Sequence, residues 1–80
     1  MDDTKASRFT EQQAELIATH RHYKGGLYLV IGPALHTETQ ETLIVYQHVW
    51  PHEPRLFVRP EAMFNENLPD GTPRFRKLRD

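Results

Sequence analysis

The chain has no cysteine among its 80 residues, which excludes disulfides, iron–sulfur clusters and thiolate zinc sites and leaves packing and hydrogen bonds to hold the fold. Serine is scarce as well, with Ser7 the sole one, so the common covalent nucleophiles are missing or confined to the first ten residues. No glycine-rich phosphate loop is present: Gly25-Gly26 has neither the spacing nor the following helix that such loops need. No apolar run approaches the ~20 residues of a membrane helix, and the start Met-Asp-Asp-Thr-Lys lacks the basic and apolar regions of a secretion signal. A cytoplasmic protein that does not engage a membrane is expected. An excess of one charge is lacking too. Ten Lys/Arg against eleven Asp/Glu give −1, which argues against a strong, sequence-blind grip on phosphate backbones.

What is there fits one small domain, since a chain of this length buries only about 60% of its unfolded surface and has a thin core. Composition shifts near residue 20, from polar helix formers to strand formers. Residues 1–9 read as a flexible leader and 10–20 as a short helix, with residues 21–80 forming a single β domain. Thr10 is placed to cap the helix, Gln13 completes a capping box, and Phe9 is a staple toward Ala14. The helix is expected over about 11–18.

Beyond Gly26, Leu27, Leu29 and Ile31 alternate with Tyr28 and Val30 as in a strand. Gly32-Pro33 interrupts the pattern, Glu38 to Glu41 reads as a hairpin connection, and a long strand follows from Thr42 to about Trp50. Pro51 and Pro54 make a loop before a strand at 55–59. Pro60 opens one helical turn, and a last short strand is expected around 74–78. About five strands with one helical turn before the last suggest a small SH3-like barrel or a strongly bent antiparallel sheet, carrying a short N-terminal α-helix.

Alternation places Leu43, Val45 and Val49 on one face of the long strand and Ile44, Tyr46, His48 and Trp50 on the other, with Phe57 separated from Leu56 and Val58 in the next strand. If the aliphatic sets form the core, Tyr28, Tyr46, His48, Trp50, Phe57 and Arg59 make an aromatic and cationic platform suited to stacking a nucleobase. In the competing reading these rings are core and the helix covers them. The run Arg21-His22-Tyr23-Lys24 ahead of the diglycine adds two cations, a histidine and a ring at the strand entrance. Candidate ligand-binding residues are therefore Arg21, His22, Tyr23, Lys24, Tyr28, Tyr46, Trp50 and Arg59.

Other chemistry finds less support. His20-x-His22 and His48-x-x-x-His52 have ligand-like spacings, but Pro51 breaks any helix that would align the second pair and neither pair has a fixed third ligand. Surface histidines are the simpler reading, and no metal or cofactor is expected. Catalytic residues are not assigned; a small hydrolase using His22 or His36 is the least supported alternative. The basic run Arg74, Arg76, Lys77, Arg79 reads as a solvated tail.

Several separated words, Arg21-His22-Tyr23-Lys24-Gly25-Gly26-x-Tyr28, His36-Thr37-Glu38-Thr39, Val45-Tyr46, Val58-Arg59-Pro60-x-x-Met63-Phe64 and Pro73-Arg74-Phe75, resemble domain-of-unknown-function family 1653 over about residues 21–76. The resemblance implies a small bacterial domain, found alone or fused, with no established activity. The chain departs from the family pattern at Leu29, at Gln40 and across His48–Pro54. The expected function is a monomeric binding module for a nucleic-acid or nucleotide partner, with a peptide-binding or domain-packing protein module as the alternative.

Overall fold

The computed structural model describes residues 6–79. Its first element, helix α1 (Glu11–Ile17), begins as expected. The Thr10 hydroxyl accepts from the Gln13 N–H (3.1 Å) and the Gln13 side chain accepts from the Thr10 N–H (2.9 Å), a complete capping box. Two turns are too few to be stable alone. The helix persists because Ala14 and Ala18 are fully buried against Leu27 and Val49, with Phe9, Leu29, Trp50 and Leu78 around them. Its end is held by Arg79, whose Nη2 donates to the carbonyls of Glu15 (3.0 Å) and Ala18 (2.6 Å), acceptors that the helix itself leaves without partners.

Strands β1 (His20–His22), β2 (Leu27–Leu35), β3 (Thr42–Trp50) and β4 (Arg55–Pro60) form a meander; α2 (Glu61–Phe64) follows, and β5 (Phe75–Lys77) returns to the far edge. The sheet order is β4-β3-β2-β1-β5, antiparallel throughout. It is strongly bent but does not close into a barrel, because β4 pairs only with β3 and β5 only with β1. Strand β1 departs from the expected pattern, which assigns residue 20 to the helix and starts strands after Gly26. His20, Arg21 and His22 offer no apolar alternation, and they are extended because β2 and β5 pair with them from both sides.

Strand β2 also runs on through Gly32-Pro33. Ile31 is inserted as a bulge between the Val30–Tyr46 and Gly32–Val45 pairs, and Gly32 takes φ +152° there. A second irregularity lies where Leu27 pairs with Trp50 and Tyr28 with His48, which leaves Val49 extra. Both bulges add twist to the β2–β3 hairpin.

The bend decides which face is core. Tyr46, Phe64 and Phe75 are buried together with Tyr28, Val30 and Ile44 packed on them. Phe64 stacks on Phe75 (4.3 Å, 7°) and meets Tyr46 edge-on (5.3 Å). The Arg59 guanidinium of β4 lies 5.9 Å from the Phe75 ring of β5, although these strands are the two edges of the sheet. The aromatic face is therefore the concave one. Both faces carry core: the aliphatic residues Leu27, Leu29 and Val49 pack under α1, the aromatic face is an interior instead of an open platform, and Leu56 (62% exposed) and Val58 (59%) lie on the surface.

The expected leader is fastened from Ala6 onward: Ala6 bridges His52, the Ser7 N–H donates to the Pro51 carbonyl (2.8 Å), and Phe9 packs on the α1 cluster. Residues 1–5 lie outside the described residues. In the β2–β3 turn, His36 Nδ1 accepts from the Glu38 and Thr39 N–H groups, and Gln40 has a left-handed φ of +65°. A residue with a side chain is strained in that conformation and glycine is not, so Gln40→Gly is expected to stabilise the fold by about 1 kcal/mol and raise the melting temperature by about 4–8 °C. Thermal unfolding followed by circular dichroism checks this; an unchanged or lower midpoint contradicts it.

Candidate functional site

The chain reverses between β1 and β2 through a tight turn. The His22 N–H donates to the Gly26 carbonyl and the Gly25 N–H to the His22 carbonyl, each at 2.8 Å, while Gly25 takes φ +103°, which favours glycine. The Lys24 N–H donates to His22 Nδ1 (3.1 Å), so in the neutral ring Nε2 carries the proton. Gly26 serves a different purpose. A Cβ there would lie 3.1 Å from Tyr28 Cε1 and 3.7 Å from His48 Nε2, so its absence makes room for the Tyr28–His48 stack (4.8 Å, 18°).

Strand alternation directs His20 and His22 to the concave face and Arg21 to the other. His22 meets Phe75 edge-on (4.8 Å) and lies against Tyr23 (4.5 Å). Tyr28 packs on Tyr46 (5.5 Å), whose hydroxyl accepts from Arg59 Nε (3.3 Å). Arg74 and Lys24 both approach the Tyr23 ring, at 5.9 and 5.8 Å. Arg74 Nη2 pairs with Glu66 (2.8 Å), while its Nε is buried without a hydrogen-bond partner.

The electrostatics agree with this geometry. His22 is held below 6.5 by burial first, then by the positive fields of Arg74, Arg59 and Lys24. The Tyr28 hydroxyl is pushed above 10.0 by burial and by Tyr46, with Arg59 acting in the opposite sense. Three cations thus converge on one histidine. Glu66, already paired with Arg74, is the one carboxylate in salt-bridge contact with this group among the described residues. Such a spot is suited to an anion, which would favour the protonated His22.

The structure brings together His22, Tyr23, Lys24, Tyr28, Tyr46 and Arg59. It does not bring in Trp50, and Arg21 borders His22 and Tyr23 only in a separate open cleft shared with Thr72, Pro73 and Arg76. Arg21 is engaged with Glu11 and Glu15 (3.1 Å each) and with the Gly25 carbonyl (2.8 Å), fastening α1 to the sheet. Trp50 is turned by the Val49 bulge onto the α1 cluster, away from the face that simple alternation assigns to it. Tyr46 is buried (5% exposed) and works as core, so the accessible ring is Tyr23 (45% exposed).

Arg74 is the contributor that the sequence pattern hides, since it stands in a basic run that reads as a solvated tail; its place beside Phe75 in the family-like word Pro73-Arg74-Phe75 is the signal that marks it. His22 and His36 do not meet, because His36 organises the turn at the opposite end of the β2–β3 hairpin from Tyr28. His48 and His52 approach each other (5.2 Å), but among the described residues no three His, Asp or Glu side chains gather as a metal site. No helix of the described residues is long and apolar enough to cross a membrane.

Fold and site together define a small, mainly β domain: one five-stranded antiparallel sheet, bent around an aromatic core whose rim is cationic. The chain belongs to the family described as protein of unknown function DUF1653, whose model matches residues 18–77. It is also similar to a crystal structure of a DUF1653 protein from Bordetella bronchiseptica, at 32% identity with a TM-score of 0.64, covering 76% of this chain and 83% of that one. No curated protein matches the chain. The matched span begins at Ala18, which leaves α1 outside it.

His20, His22 and His48 share one sign: burial, the first cause in each case, holds the ring below 6.5 in the folded state. As pH falls through 6.5 toward the lower folded values, the unfolded chain takes up protons first, so stability is fully present above this window and declines within it. Urea midpoints are expected to drop from about pH 7.5 to about pH 5.5, and a flat profile contradicts this. Arg74→Ala removes a cation from beside His22, and the His22 titration followed by NMR is expected to move up toward 6.5.

Proposed function

We propose that this domain is a non-enzymatic binding module for an anionic ligand bearing a planar ring, of the nucleotide or single-stranded nucleic-acid class. The carrying observation is that Lys24 and Arg74 flank the exposed Tyr23 ring beside His22, whose neutral form is favoured by the fields of Arg74, Arg59 and Lys24. A phosphate is the natural acceptor for the Lys24 ammonium and for His22 Nε2–H, and Tyr23 offers a face on which a base stacks. Binding would come from this local charge, since the whole chain is near neutral.

The test is fluorescence anisotropy with a labelled short oligothymidylate. Affinity is expected to fall as salt rises from about 50 to 200 mM. Tyr23→Ala is expected to weaken binding by about 5- to 100-fold through loss of stacking, and Arg74→Ala to reduce both affinity and its salt dependence. Salt-independent binding, or full affinity in Tyr23→Ala, rejects the reading. A second reading, a protein-interaction module, is favoured by the exposed Leu56 and Val58 on edge strand β4. A partner held there would bind with little response to salt and would be lost on Leu56→Asp while Tyr23→Ala left it intact.

A further inference from the structure

We infer that a second oxyanion subsite, of the phosphate class, lies at the other end of β1, in the cleft of about 350 Å³ lined by Thr19, His20, Val30, Lys77 and Arg79. Thr19 builds it. Its N–H donates to the Tyr28 carbonyl (2.9 Å), its carbonyl accepts from the Leu78 N–H (2.9 Å), and its hydroxyl oxygen accepts from the Val30 N–H (2.8 Å). The same hydroxyl lies 2.9 Å from His20 Nδ1, and when it donates there the ring proton sits on Nε2. That contact orients the imidazole and leaves Nε2–H as the donor of the neutral ring, while Phe64 braces the ring edge-on at 5.7 Å.

Lys77 is the direct cross-strand partner of His20 and shares its face. None of the ion pairs among the described residues uses Lys77, and Arg79 adds a second cation to the wall. A ring N–H donor and an ammonium group facing one small cleft, with the helix-bound guanidinium of Arg79 at its wall and no carboxylate among the described residues that line it, make an oxyanion receptor.

This subsite extends the proposed function and rests on it in one respect: His20 and His22 lie on one face of β1, two residues and so about 7 Å apart along the strand. The ligand class this implies carries at least two phosphate groups, one at each end of β1, as in an oligonucleotide or a nucleoside polyphosphate. A nucleoside monophosphate would occupy only the Tyr23 end.

The experiment uses the whole chain and follows the histidine ring signals by ¹H–¹³C NMR during titration with inorganic phosphate. Saturable movement of the His20 signals is expected, weakened roughly tenfold in Lys77→Ala and retained in Arg74→Ala. Lys77→Gln keeps the length of the side chain and is expected to behave as Lys77→Ala, and preserved amide dispersion shows that either variant folds. No saturable response at His20, or one of equal strength without Lys77, overturns the subsite whatever happens at Tyr23. A His20 response that needs Lys77, in a protein whose Tyr23→Ala variant binds oligothymidylate at full strength, upholds the subsite and rejects the Tyr23 reading instead.

Discussion

Three rings from three elements hold this sheet in its bent shape: Tyr46 from β3, Phe64 from α2 and Phe75 from β5. Phe64 and Phe75 stack face to face and Tyr46 closes on both at 5.3 and 5.4 Å, so edge strand β5 is drawn toward the opposite edge and Arg59 of β4 reaches across to it. In so short a chain the core is too thin to carry redundancy. The aromatic cluster therefore has two duties. It supplies apolar burial, and it sets the distance between β4 and β5 at which Arg59, Arg74 and His22 share one neighbourhood.

What could be read from the sequence follows from how local each determinant is. The α1 cap depends on Thr10 and Gln13 alone, and α2 on Pro60 opening a turn, so both were legible; β3 and β4 alternate plainly and were legible too. Strand β1 was not, because its three polar residues are extended only by virtue of partners distant in the chain. Alternation sorts residues onto two faces without saying which face becomes interior; that depends on the bend, which the bulges at Ile31 and Val49 create. The same bulge explains Trp50, since one inserted residue moves a side chain to the opposite face. Of the candidate site, the turn residues His22 to Lys24 with Tyr28, Tyr46 and Arg59 were recoverable from residue type and strand parity. Arg74 was not, because its role depends on β5 crossing to β1.

A net charge of −1 conceals a marked segregation of charge. On the helix side, Glu11 and Glu15 neutralise Arg21, and the contact serves to hold α1 down. On the concave rim the cations outnumber the paired acid, and the histidines there are held neutral by burial and by those same cations.

The clasp of Arg79 on the carbonyls of Glu15 and Ala18 joins positions more than sixty residues apart in the chain. The C-terminal end of the described structure is thereby fastened to the end of α1, beside the cleft that His20 and Lys77 line. The family span runs from Ala18 to Lys77, so both partners of the clasp, α1 and Arg79, lie just outside the shared sheet and lock onto each other across its edge.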